Sequence, residues 1–241
     1  MAMNTNSYRT TAVVTGILFL TTDITAIVGL LLYQPLLTNP QFITSADVSH
    51  TPIYIGALLE TVLAVCNAGT ALALYPILKK QNQSLALGYV IFRALEATII
   101  LVGVMSILTV LTLRLDFLAV GGNPEVYQMI GKAFVAFQRW TFLFGPNIVL
   151  PLNAAILGYL LFKSKLVPRY ISSLYLFDAP VLFTSSILIL FGCYSQTSVP
   201  AIVIAMPMLA FELLFSGWLI VKGFNQTALD SLAARVRPAT F

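Results

Sequence analysis

Seven side chains carry the chemistry this sequence could perform: Asp23, Glu60, Arg93, Glu96, Arg139, Asp178 and Glu212, each set inside a long apolar run. Carboxyl groups take up protons or hold cations, and guanidinium groups balance them. Placing one such group at the centre of a bilayer costs roughly 2.5–3.5 kcal/mol on insertion scales, so these groups should pair with one another or line a wet interior. Two arginines cannot neutralise five acids, which leaves some carboxyls to be protonated, solvated or bound to a counter-ion.

Spacing adds detail. Arg93 and Glu96, three apart, occupy adjacent positions on one helix face. Asn67, seven after Glu60, continues the face of that acid. Counting along the helices puts Arg93 and Asp178 roughly 12–14 Å from one membrane face, and Asp23, Glu96 and Glu212 roughly 15–20 Å from it. These five are expected to form one cluster. Glu60 and Arg139 come out at roughly 27 and 35 Å, which predicts a second pair nearer the opposite face. The run Gly145-Pro146-Asn147, followed by Pro151 and Asn153, predicts a bent or interrupted helix, because each proline removes a backbone hydrogen bond. Broken helices of this kind bind solutes in transporters, which makes Asn147 and Asn67 candidates as well. The competing reading is structural: the charges only fix how the helices register.

Other chemistries lack their residues. The one histidine, His50, reads as a solvated loop residue and cannot by itself hold a metal. The sequence contains no HExxH, nucleophile elbow, P-loop or dinucleotide fingerprint, so no catalytic residue and no cofactor is assigned. Asp23 and Asp178 are the only buried Asp pair that could form an aspartyl dyad, and nothing around them marks one. Cys66 and Cys193 lack CxxC spacing and read as small packing residues.

The elements that must position these residues follow from composition. Of 241 residues 59% are hydrophobic and 9% charged, with mean hydropathy +0.91. A water-facing domain needs about 25% charged residues, so the lipid bilayer is the partner of this surface. The net charge of +4 does not indicate nucleic acid, because the Lys and Arg form no patch interleaved with aromatics.

Six apolar runs are long enough to span: Thr10–Leu37, Pro52–Leu78, Ser84–Leu113, Phe134–Phe162, Tyr170–Phe191 and Val199–Val221. In lipid they must be helices, since open backbone groups cannot be satisfied there. The first run is too long for a signal peptide and reads as a retained span. Thr51-Pro52, Asn123-Pro124 and Ser198-Val199-Pro200 mark helix starts. After Pro124 an amphipathic pattern predicts a short interfacial helix leading into the fourth span, or one long helix projecting from the membrane.

Orientation follows from the loops. Arg9, Lys79, Lys80, Lys163, Lys165, Arg169, Lys222, Arg235 and Arg237 fall on one side, and Arg114 and Lys132 on the other. The excess predicts both termini on the cytoplasmic side of the cell membrane. The expected architecture is all-α, a polytopic bundle of about six helices over residues 1–222 with a short tail over 223–241.

Two stretches carry a likeness to a known family. Leu87-Gly88-Tyr89-Val90-Ile91-Phe92-Arg93-Ala94-Leu95-Glu96 and Gly158-Tyr159-Leu160-Leu161-Phe162-Lys163-Ser164-Lys165-Leu166-Val167-Pro168-Arg169 resemble the bacterial membrane-protein family catalogued as domain of unknown function 4386. The resemblance implies a multi-pass topology and no activity. The residues favour binding or conduction of a small solute, ion or proton through a polar core. A non-catalytic structural or partner-binding subunit is the alternative, and an intramembrane enzyme acting on lipid a second.

Overall fold

On the second span the residues Leu58, Val65 and Leu72, spaced by seven, are 64–66% exposed. Two positions further on, Glu60, Asn67 and Leu74 are buried. The polar groups lie inside and the apolar stripe faces out, the reverse of a helix in water, so lipid is the solvent for this surface. The other spans repeat the pattern, with Ile24 and Leu31 exposed on the first and Phe177 on the fifth.

The computed structural model describes residues 5–39, 41–45 and 49–236. Its helices are α1 (Thr5–Thr38), α2 (Thr51–Leu78), α3 (Gln83–Val120), α4 (Pro124–Phe142), a π-helical segment (Leu143–Val149), α5 (Leu150–Ser164), α6 (Arg169–Leu190), α7 (Val199–Val221) and α8 (Gln226–Val236). Six stretches are long and apolar enough to cross a membrane, because α4, the π segment and α5 run on as one span over Pro124–Ser164. The chain is a multi-pass helical membrane protein.

The spans form a ring in chain order. Each packs on the next, and α7 returns to α1 to close it. Arg9 fastens that seam: its guanidinium donates to the carbonyls of Leu219 (3.2 Å) and Ile220 (2.7 Å), which the end of α7 leaves unpaired. Beyond α7, the amphipathic α8 turns Ala228, Leu229 and Leu232 into the main apolar core. Arg237, counted among the charges of the terminal side, lies outside the described residues.

The amphipathic segment after Pro124 is not set apart from the fourth span, and of the two arrangements the sequence allows the chain takes the long helix. At 38 and 41 residues, the third and fourth spans are about twice as long as a hydrocarbon core of about 30 Å requires. They project together on the face away from the termini, joined by a turn in which Gly121 and Gly122 have φ of 75° and 138°. Nor is the helix interrupted at Gly145-Pro146-Asn147. The π segment absorbs the proline, and the amide of Asn147 donates to the Phe142 carbonyl (3.1 Å).

Two residues of the far side, Arg114 and His50, are also placed differently from the sequence expectation. Arg114 is not in a loop but fully buried on α3. It donates to the Phe42 carbonyl and, through Nε, to His50 Nδ1 at 3.3 Å, with its guanidinium over the Phe42 ring. The apolar run ends at Leu113, but the helix continues, and Phe42 and Ile43 fold over it. His50 is therefore a half-buried acceptor rather than a solvated loop residue. Of the cysteines, Cys66 is half-buried, whereas Cys193 is exposed in the turn after α6.

Gly158 sets a close approach between α5 and α6. A Cβ there would stand 2.9 Å from the Leu176 backbone nitrogen and 3.1 Å from its Cα. Backbone cannot rotate out of the way as a side-chain tip can. Gly158→Ala is expected to push α5 from α6 and lower stability by about 1–3 kcal/mol, measured by thermal unfolding in detergent. An unchanged melting temperature would show that the two helices tolerate separation.

Candidate functional site

Arg93 is the hub around which the ring closes. It sits on α3, about three turns from the helix start, fully buried. Its Nη1 donates to Glu96 Oε2 at 3.0 Å, its Nε reaches Thr70 Oγ1 of α2 at 3.4 Å, and its Nη2 lies 3.7 Å from Glu212 Oε1 of α7. Every span contributes to this centre. Asn67 of α2 donates to Glu96 Oε1 (2.9 Å), and Asn153 of α5 to Glu96 Oε2 (2.7 Å). Tyr175 of α6 donates its hydroxyl to Glu212 Oε1 (3.3 Å). Asp23 of α1 presents its carboxyl beside that of Glu212.

An aromatic wall encloses these charges. Tyr175 stacks on Phe211 with centroids 3.8 Å apart, Phe211 on Phe215 at 5.1 Å, and Phe215 meets Phe19 edge-on at 5.3 Å. The Arg93 guanidinium lies over Phe19, 5.3 Å from the ring centre. With water displaced by rings, each charge in the cluster acts more strongly on its neighbours than it would in solvent.

The cluster has two unequal halves. Glu96 is closed: three donors from α2, α3 and α5 take up both its oxygens. Across Arg93 the other half is open. Asp23 Oδ2 and Arg93 Nη2 are buried without a hydrogen bond among the described residues. The Glu212 side chain keeps 13% of its surface exposed, against 4% for Glu96. Three carboxyls thus surround one guanidinium. If all were ionised, the site would carry two net negative charges, three minus one.

The structure brings together Asp23, Asn67, Arg93, Glu96 and Glu212 from the sequence-derived candidates and leaves four elsewhere. Asp178 is buried on α6, but among the described residues it makes no hydrogen bond or ion pair, and its Oδ2 has no partner. Arg139 does not pair with Glu60. It lies on the exposed side of α4 and donates to the Leu37 carbonyl at 3.3 Å. Glu60 instead borders a separate cleft of about 260 Å³ with Leu63, Gly103, Gln138, Thr141 and Pro146. Asn147 serves its own π segment, while Ser186 of α6 donates to its carbonyl.

Thr70, Asn153, Tyr175 and Phe19 belong to the site but are not among the sequence-derived candidates. Thr70 lies three after Asn67, a spacing that puts both on one helix face. Tyr175 and Phe19 carry no signal that separates them from packing aromatics.

Compared with known proteins, the chain matches the profile of one family, described as Domain of unknown function (DUF4386), over residues 14–223. No curated protein and no solved structure matches it.

Proposed function

The chain belongs to the DUF4386 family, whose function is unknown, and from that starting point we propose that it is a cell-membrane protein, with both termini cytoplasmic, that binds and conducts a proton or small cation through its polar core. One observation carries the reading: the Asp23–Glu212 carboxyl pair is left over once Glu96 has taken up the charge of Arg93. Adjacent carboxyls can share a proton and pass it between them, or hold a cation that supplies the missing positive charge. The 13% exposure of Glu212 gives the pair access, and Glu60 in its cleft is the next acid toward the opposite face.

A structural role draws its support from the closed half. Glu96 ties three helices together with no oxygen to spare, which is what a register-fixing buried charge does.

Flux measurement separates the two. The protein is reconstituted into liposomes holding a pH-sensitive dye, and proton entry is followed under an imposed potential, with sodium and potassium tested in parallel. Wild type is expected to carry one of these ions, and Asp23→Asn and Glu212→Gln to fall to the level of protein-free liposomes while remaining folded. Wild-type flux no greater than that of empty liposomes for all three ions would overturn the proposal in favour of the structural role.

A further inference from the structure

At the end of the molecule that carries the termini, the chain builds a basic groove which the core cluster does not use. Helices α5 and α7 both end there in left-handed residues, Lys165 (φ 58°) and Gly223 (φ 74°). The two turns are clamped side by side, the Asn225 backbone N–H donating to the Leu166 carbonyl at 2.9 Å. Between them lies a cavity of about 540 Å³, lined by Lys165, Arg169, Trp218, Lys222, Phe224 and Asn225 among others. Lys165, Arg169 and Lys222 are exposed, and none of them forms an ion pair among the described residues.

The charges of this end are accounted for unevenly. Arg9 is held by the carbonyls that end α7, Lys80 by the Tyr8 hydroxyl, Lys163 by the Tyr159 hydroxyl and Lys79 by the Tyr75 ring. Arg169 rests on Phe162 at 5.0 Å, with its guanidinium still exposed. Among the described residues, Lys165 and Lys222 have neither a ring nor an acid as partner. Asp230, the one acid described at this end, is exposed on α8 and pairs with none of the three.

We infer that this groove binds the phosphate of an anionic phospholipid headgroup. Three cations converge on a pocket large enough for a phosphodiester and its glycerol. A further feature suits an anion: α6 begins at the groove, at Arg169, and the first turn of a helix favours negative charge. Trp218 occupies the last turn of a membrane span, the level at which indole rings settle among headgroups. The groove thus lies where the phosphates of one leaflet are, and a lipid can enter sideways with its acyl chains still in the bilayer. Basic pockets at the ends of spans hold anionic headgroups by this combination of charge and depth.

The test uses the full-length protein in neutral detergent, titrated with phosphatidylglycerol or phosphatidylcholine, with native mass spectrometry reading the bound lipid. Two double variants remove the same charge from the same end: Lys165→Gln with Lys222→Gln inside the groove, and Lys79→Gln with Lys163→Gln outside it. All four lysines are exposed, so both variants are expected to keep the wild-type melting temperature. Wild type should retain phosphatidylglycerol in preference to phosphatidylcholine. The groove variant should bind it about 30-fold more weakly, two cations each contributing near a leaflet surface. The outer variant should bind like wild type. Equal weakening in both variants, or no preference between the lipids, overturns the inference, since diffuse attraction would explain either. Displacement of the lipid by inorganic phosphate would also overturn it, making free phosphate the ligand.

Discussion

An Arg93→Leu protein is expected to lose about 3–5 kcal/mol of stability, the usual result of removing one partner from a buried ion pair. The change leaves Glu96 and Glu212 without their cation and Thr70 without its donor, all behind the aromatic wall. Arg93→Lys should recover only part of the loss. One ammonium cannot span Glu96 at 3.0 Å, Thr70 at 3.4 Å and Glu212 at 3.7 Å, which the planar fork reaches together. Thermal unfolding in detergent, followed by size exclusion to count folded protein, checks the order wild type, Lys, Leu. A Leu variant as stable as wild type would show that the acids do not need this charge.

The second large effect comes from treating the two glutamates alike. Glu96→Gln should cost about 3 kcal/mol or more, because all three groups facing that carboxyl are donors and an amide turns its own N–H₂ toward one of them. It also leaves Arg93 with only the more distant Glu212. Glu212→Gln should stay within about 1 kcal/mol of wild type, since Glu212 accepts a single hydrogen bond from Tyr175 and an amide there can donate to Asp23. The expected pattern is that the closed glutamate governs melting and the open one governs flux. If Glu212→Gln melts as low as Glu96→Gln, the distinction between the two halves fails.

What could be read from the sequence follows from what a helix repeats. Span positions were legible because an apolar run long enough to cross lipid has one physical solution, and α2, α6 and α7 begin and end within a residue or two of the predicted bounds. Depth along an axis was legible too, and it grouped Asp23, Arg93, Glu96 and Glu212 correctly. Rotation about the axis was not. Arg139 and Glu60 were paired on height alone, yet α4 turns Arg139 outward. The π segment further down the same span adds to the difficulty, because the wider turn shifts the faces on either side of it. Asp178 is buried three after Tyr175, yet it joins no ion pair among the described residues, which height along the axis did not reveal. Arg114 was misplaced because hydropathy ends at Leu113, whereas the helix runs on to Val120 and ends at the left-handed Gly121. Capping gave a mixed return: Asn123 does cap α4, but Asn82, which was not singled out, caps α3 by accepting from the Leu85 N–H at 3.0 Å.

The seam between α1 and α7 has a consequence for how the protein is made. Spans leave the ribosome in chain order. Arg93 and Glu96 emerge together on α3, so that pair enters the membrane already balanced, with Asn67 ahead of it and Asn153 following. Asp23 emerges on the first span, while its neighbour Glu212 arrives on the last. Until then the acid faces an open furrow, and Arg9 has no carbonyls of α7 to grip. The ring therefore closes only once α7 has been made. A nascent chain cut short before Val199 carries a carboxyl in its first helix that α7 has not yet covered.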